Sequence, residues 1–313
     1  MSDSTATSST QPFERGTAKV FTEIAPLSQL TRAMRKAGRP VVLVPTMGAL
    51  HEGHVSLVRS AQRIPGALVV VSIFVNPLQF AEGEDLDAYP RTLEADVEKL
   101  KAVGVDAVFA PSPREMYPNG PRTTIHPGPV GSILEGAHRP THFAGVLTVV
   151  NKLFTISNCN HAFFGEKDYQ QLMVIQQMVT DLNMDVQIHG VPIVREANGL
   201  AMSSRNAYLS AEERELALTL SAALTAGSFV ADKGAEAVLS TAREILDAQP
   251  QITVDYLELL GADLGEVPEQ GDARLLVAAR VGSTRLIDNV GVPLGTGFKG
   301  LDEGNPAEGN PAE

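Results

Sequence analysis

The sequence predicts an α/β protein, a Rossmann-like parallel sheet flanked by helices, with a smaller C-terminal α+β domain. Three observations carry that expectation. Two apolar, β-branched runs, at 41–44 and 67–75, have the length and composition of strands buried on both faces. Strand-like runs twice pass through glycine into a helical pattern, in V-V-L-V-P-T-M-G-A-L-H-E-G-H at 41–54 and F-F-G-E-K-D-Y-Q-Q at 163–171. Past residue 209 the pattern changes to two helices, a strand at 254–259, and strands at 275–281 and 284–290 flanking Gly282-Ser283, a two-residue hairpin signal. The boundaries predicted are a disordered polar arm at 1–20, the Rossmann-like domain at 21–194, a C-terminal lid domain at 195–298 and a disordered acidic tail at 299–313.

Taken in order, residues 27–36 predict a helix with Leu27, Leu30 and Met34 on one face. Pro45 ends the first buried run because it brings no N–H to a ladder. Gly48 allows a tight turn, and 52–63 reads as helix. Asn76-Pro77 ends the second run and leaves Gln79 just beyond a strand's carboxyl end. Thr92 is predicted to cap a helix at 93–103 that Gly104 terminates, and 105–110 gives a third strand. Residues 111–140, rich in Pro, Gly and Arg, are too long for a plain connection and predict a lid or substrate-side insert. An apolar helix at 143–156 leads to a short strand at 161–164. Asp168 then stands as N-cap of a helix bearing Leu172, Ile175, Val179 and Leu182. A strand at 186–194 precedes the loop R-E-A-N-G-L-A-M-S-S-R-N, and Ser210 with Glu213 fits a capping box for a helix reaching about Ala226. A further helix is predicted at 235–248.

Composition narrows the function classes. A formal charge of −12 over 313 residues argues against broad nucleic-acid binding and against an anionic membrane surface. No apolar run reaches the length of a membrane span. The single cysteine, Cys159, cannot form an intrachain disulfide, which fits a reducing, cytoplasmic setting, and its apolar neighbours predict an inert buried thiol.

His51 and His54 fall where a helix aims its first N–H groups, a place suited to phosphate. They read as a phosphate cradle, against the alternatives of a metal pair or an ordinary helix start; H-E-G-H is not the zinc H-E-x-x-H pattern. Gln79 is equally a substrate amide or a plain loop residue. Lys167 suits a phosphate and Asp168 a ribose hydroxyl, with Gln171 turned toward the same cleft as Gln79; the plainer reading leaves Lys167 in solvent and Asp168 a cap. Ser203, Ser204 and Arg205 suit a loop that closes over phosphates, or an interdomain linker. Asp96 is a solvated helix charge or a carboxylate that helps hold Mg²⁺.

Together P-T-M-G-A-L-H-E-G-H, F-F-G-E-K-D-Y-Q-Q-L and A-M-S-S-R-N resemble the pantoate–β-alanine ligase (pantothenate synthetase) family. F-V-N-P-L-Q-F, D-A-Y-P-R-T and T-H-F-A-G-V match as well, and the likeness runs from about Phe21 to Val290. That family belongs to the nucleotidyltransferase superfamily related to class I aminoacyl-tRNA synthetases, so H-E-G-H and M-S-S-R would take the ATP-binding roles. The resemblance implies ATP as substrate with Mg²⁺, pantoate and β-alanine as the other substrates, a pantoyl adenylate intermediate, and a homodimer. It further implies that Met47, Gly48, Ala49, Leu50, His51, Glu52, Gly53 and His54 line the ATP site, with His54 as proton donor. Gly165, Glu166, Lys167 and Asp168 would hold the nucleoside, Val194 would lie near adenine, and Met202, Ser203, Ser204 and Arg205 would close on the triphosphate. Gln79, Gln171, Pro45 and Met47 would bind pantoate, with Gln79 bordering the β-alanine site; Asp96, beside Ala95, is the candidate metal ligand. The alternative is another nucleotidyl transferase on the same scaffold. A non-catalytic nucleotide sensor fits less well, because His51, His54, Lys167 and Arg205 are all present.

Overall fold

The computed structural model describes residues 13–296 except 82 and 85. The expectations for the start of the arm and for the acidic tail lie outside the described residues. The chain forms two compact units, one of residues up to 194 with 202–204, the other of 195–201 with residues from 205 onward.

The first unit is built on β1 (Lys19–Phe21), β2 (Val41–Thr46), β3 (Leu68–Ile73), β4 (Ala107–Phe109), β5 (His161–Gly165) and β6 (Gln187–Val191). All pair in parallel, in the order β1-β4-β3-β2-β5-β6. Alternate side chains of the central strands feed opposite cores, which is why their sequences read as continuous apolar runs. Val41 and Leu43 join Leu27 of helix α1 (Ile24–Lys36) in one core. Val42 and Val44 join Leu57 and Val58 of α2 (Glu52–Ala61) and Leu100 of α3 (Leu93–Ala102) in the other. The chain continues through the short helices α4 (Pro113–Met116) and α5 (Glu135–His138). Helices α6 (His142–Ser157) and α7 (Tyr169–Asp181) then complete the first core. Because β2 leads to β3 on one side while β5 lies on its other side, the sheet changes direction between β2 and β5. The crevice beyond their carboxyl ends is where such folds bind ligands.

Part of the predicted arm belongs to the sheet. Residues 15–21 are fastened: Arg15 pairs with Asp106, Gly16 N–H donates to the same carboxylate, and β1 adds to β4. The helix predicted from Leu27 begins at Ile24, since Pro26 sits in the first turn, where its missing N–H has no intrahelical partner to lose. The insert at 111–140 is docked. Gln170 accepts from Glu135 N–H and donates to the Val130 and Ile133 carbonyls, holding Leu134 at a strained φ of 48°.

The second unit stacks helices α8 (Ala211–Phe229) and α9 (Ala235–Asp247) on an antiparallel sheet. That sheet is β7 (Ile252–Gly261), β8 (Gly271–Val281) and β9 (Thr284–Leu294), in the order β7-β8-β9. The Ser210–Glu213 capping box forms in both directions, as its spacing predicts. The Gly282-Ser283 turn joins β8 to β9, which run well beyond the predicted strand ends.

Candidate active site

The first junction leaves β2 at Pro45 and Thr46 and turns through Met47, Gly48 and Ala49. Gly48 has φ 87° and Ala49 φ 50°, so two successive residues are left-handed. His51 is the N-cap of α2, and its Nδ1 accepts from Gly53 N–H at 3.1 Å. In return His51 N–H donates to Nδ1 of His54 at 3.2 Å, a capping box made of two imidazoles with ring centres 4.1 Å apart. A Cβ on Gly53 would stand 2.8 Å from Cε1 of His51, so the glycine gives that ring its space.

These bonds settle the tautomers. An Nδ1 that accepts carries no proton, so both neutral rings hold theirs on Nε2. Burial, then the charge of Lys167 and Lys99, lowers the pKa of His51. His54 is pushed down to about 3 by burial and then by His51, with Lys167 and Lys99 adding to the effect and Asp168 opposing it. In the ligand-free protein His54 is therefore a neutral Nε2–H donor. The expected proton-donating acid would require a bound anion to raise its pKa. The Glu52 side chain pairs with Arg59.

Asp96 does not fit the expected Mg²⁺ ligand. It is fully buried, and its two oxygens accept from Ala49 N–H, Leu50 N–H and the Thr92 hydroxyl at 2.8–2.9 Å. Thr92 spends its hydroxyl on that carboxylate and makes no side-chain cap. Among the described residues no group of three or more His, Cys, Asp or Glu is placed to hold a metal.

The second junction leaves β5 at Gly165 and runs through a 3₁₀ turn, Glu166–Asp168, into α7. Asp168 occupies the N-cap position, yet its side chain makes no cap bond; the carboxylate is half exposed, with Lys167 Nζ 4.0 Å away. Gln171 is half-buried in the first turn of α7.

Gln79 lies past β3, buried, and both ends of its amide are engaged: Nε2 with Met47 Sδ at 3.1 Å and Oε1 with Asn76 Nδ2 at 3.1 Å. The sequence reading passed over Asn76 as a strand stop. Its amide also donates to the Gly145 carbonyl, and its oxygen accepts from Leu78 N–H and the Tyr117 hydroxyl. A Cβ on Gly145 would stand 2.2 Å from the Leu78 carbonyl, so that glycine lets the loop sit against α6. The Gln79 carbonyl accepts from Arg139, itself paired with Glu84, and from Nδ1–H of His142 at 2.9 Å. Burial pushes the His142 pKa down to about 4, with Arg139 the next cause.

Of the late loop, Met202 N–H donates to the Val194 carbonyl, and the Met202 side chain stands beside Gly53. Ser204 Oγ is 3.4 Å from the buried Tyr89 hydroxyl, a further residue that the sequence reading left out. Ser203 belongs to the same unit, whereas Arg205 belongs to the second. There Arg195 makes a paired contact with Asp288, and Glu196 takes Asn206 and Arg214.

An open parallel sheet, imidazoles on a helix N-terminus and a second strand–glycine–helix junction bearing Lys167 and Asp168 at the switch point define a nucleotide-binding α/β protein. The family model for pantoate–β-alanine ligase matches residues 19–291. The chain belongs to the pantoate–β-alanine ligase family. It is 82% identical to a pantothenate synthetase of Corynebacterium jeikeium over 292 residues, 93% of this chain and 95% of the relative. It is 59% identical to that of Mycolicibacterium smegmatis, over 97% and 96%. Among solved structures it is similar to pantothenate synthetase of Thermus thermophilus, with TM-score 0.81 and 45% identity over 87% of this chain and 98% of that one. It is also similar to the Francisella tularensis pantoate–β-alanine ligase complexed with β-γ ATP and β-alanine, with TM-score 0.73 and 34% identity over 87% and 97%.

Proposed function

We propose that this chain condenses pantoate with β-alanine at the expense of ATP, giving pantothenate, AMP and pyrophosphate. Membership of the family across nearly the whole chain carries the reading. The pantoate carboxylate oxygen attacks the α-phosphorus, and pyrophosphate leaves with the electrons of the broken P–O bond. The β-alanine amine then attacks the acyl carbon of the adenylate, AMP leaves as the C–O bond breaks, and the amine gives up a proton. Neither step needs a nucleophile from the protein, so the chain's task is positioning and charge stabilisation.

On this reading Nε2–H of His51 and His54 donate to phosphate oxygens, joined by Lys167. Asp168 takes the ribose hydroxyls, and its missing cap bond leaves it suited to that. Gln79 and Gln171 hold pantoate over Pro45 and Met47. The late loop, from Val194 through Met202, Ser203 and Ser204 to Arg205, closes on the triphosphate, and the second unit acts as the lid. Mg²⁺ would be held by phosphate oxygens, where it would neutralise charge, since the Asp96 carboxylate is already taken by Ala49, Leu50 and Thr92. A homodimer in the cytoplasm completes the reading, and light scattering tests the dimer.

The deciding experiment is pyrophosphate release from Mg-ATP with pantoate alone, followed by β-alanine. Pantoate-dependent release, then AMP and pantothenate by mass spectrometry, is the expected result. ATP binding without pantoate-dependent release would move the chain to another nucleotidyl transfer.

A further inference from the structure

Helix α3 lies outside both junctions, yet it reaches the first with two side chains three residues apart on one face. Asp96 takes the N–H groups of Ala49 and Leu50 at 2.9 and 2.8 Å, and Lys99 Nζ donates to the Leu50 carbonyl at 2.6 Å. The turn needs fastening. Ala49 is held at φ 50°, where its Cβ is disfavoured, directly after Gly48 at φ 87°. Successive N–H groups in such a turn form a concavity that attracts any anion. Here a fully buried carboxylate of the protein fills it from behind. A nucleotide is thereby kept to the imidazoles and the helix end.

We propose that Asp96 and Lys99 are positioning residues for the phosphate site. By locking the turn at 48–50 they fix the backbone of His51, and with it the bond from His51 N–H that sets the tautomer and aim of His54. The proposal rests on the reading that His51 and His54 meet the phosphates. It replaces a metal-ligand role for Asp96 with a mechanical one, and the two roles predict different data.

Asp96→Asn keeps the size but turns one acceptor into a donor, facing a buried N–H that has no other partner there. The first measurement is ¹⁵N NMR of the imidazoles without ligand. The wild type should show the proton of each neutral ring on Nε2, with His54 neutral between pH 6 and 8, and Asp96→Asn a mixture of tautomers. In single turnovers the variant should raise the ATP concentration for half-maximal rate at least tenfold, while the Mg²⁺ concentration for half-activation stays within twofold. Lys99→Gln should raise the ATP requirement about threefold, and Lys99→Arg should restore it. If Asp96→Asn does not fold, the two Lys99 variants decide alone: an unchanged ATP requirement in Lys99→Gln overturns the clamp. Wild-type tautomers in a folded Asp96→Asn, or rescue of its rate by excess Mg²⁺, overturn it also. Adding a non-hydrolysable ATP analogue to the wild type separates the underlying reading. If neither imidazole signal moves, the phosphate role of the histidines fails, whatever the clamp does.

Discussion

The two junctions stand side by side on one sheet edge and are built in opposite ways. After β2, the backbone N–H groups at 49, 50, 51 and 53 are all taken by side chains: Asp96, His54 and His51. After β5, the turn at 166–168 has no side-chain cap, and Asp168 is half exposed. The first arrangement is preorganised, and the second leaves its carboxylate open to a ligand. Charge developing in a transition state gains most from donors that need not move. A nucleoside, which differs little between ground and transition state, needs affinity instead. On the proposed reading, the contrast gives rate to the imidazoles of the first junction and mainly affinity to the second.

Variants on each side test that division. His54→Ala should lower the rate of adenylate formation about 10²–10³-fold, the range for losing one preorganised donor, with the far-UV spectrum unchanged. Wild-type single-turnover rates in that variant would remove the first junction from the chemistry. Lys167→Ala should act mainly on ATP affinity, roughly tenfold to a hundredfold, as expected for one charge-assisted hydrogen bond, with a smaller change in kcat. A larger fall in kcat than in affinity would erase the contrast.

Gly53→Ala sharpens the point without removing a functional group. The new Cβ would displace the His51 ring, at the cost of a helix cap, about 1 kcal/mol. The expected result is a loss of kcat/KM of roughly tenfold, larger than that loss of stability measured by urea unfolding would bring through fraction folded. Equal kinetics would show that the histidine cap is structural only.

The junctions were legible because their signals are local: apolar runs, Pro45, Gly48 and two histidines within a few residues. The Ser210–Glu213 box was legible for the same reason. What escaped has partners far along the chain. Asp96 meets residues 46 and 47 positions away, Asn76 meets Gly145 69 positions away, and Arg15 meets Asp106 91 positions away. Thr92 and Asp168 stand at helix starts as their residue types predict, but neither side chain makes the cap bond. Propensity selects the position of a cap residue, while tertiary neighbours decide where its oxygen goes.

Acid should act at the first junction and at the start of α6 in the same direction. His54 and His142 have folded pKa values lowered to about 3 and about 4 from the 6.5 of a free imidazole, chiefly by burial. Between those values and 6.5 the unfolded chain binds more protons, so stability rises with pH across that window and is lost as pH falls. Each histidine should account for roughly 1–2 kcal/mol between pH 7 and 5. His142→Asn, which keeps a donor near Nδ1, should flatten the dependence of the urea midpoint on pH by one such increment. An unchanged slope would mean that His142 titrates normally.

The smallest effect is expected from the tail. The family match ends at 291 and β9 at Leu294, so removing the residues after Gly300 takes away nothing those elements contain. It does remove the acidic side chains Asp302, Glu303, Glu308 and Glu313, moving the formal charge from −12 to −8. Two of the substrates are anions, and a less negative protein repels them less. Truncation should therefore leave kcat within about twofold, with any gain in kcat/KM confined to low salt. At 0.15 M ionic strength the screening length is about 8 Å, and the gain should vanish. A loss of kcat, or a gain that survives salt, would mean that the tail touches the catalytic unit directly.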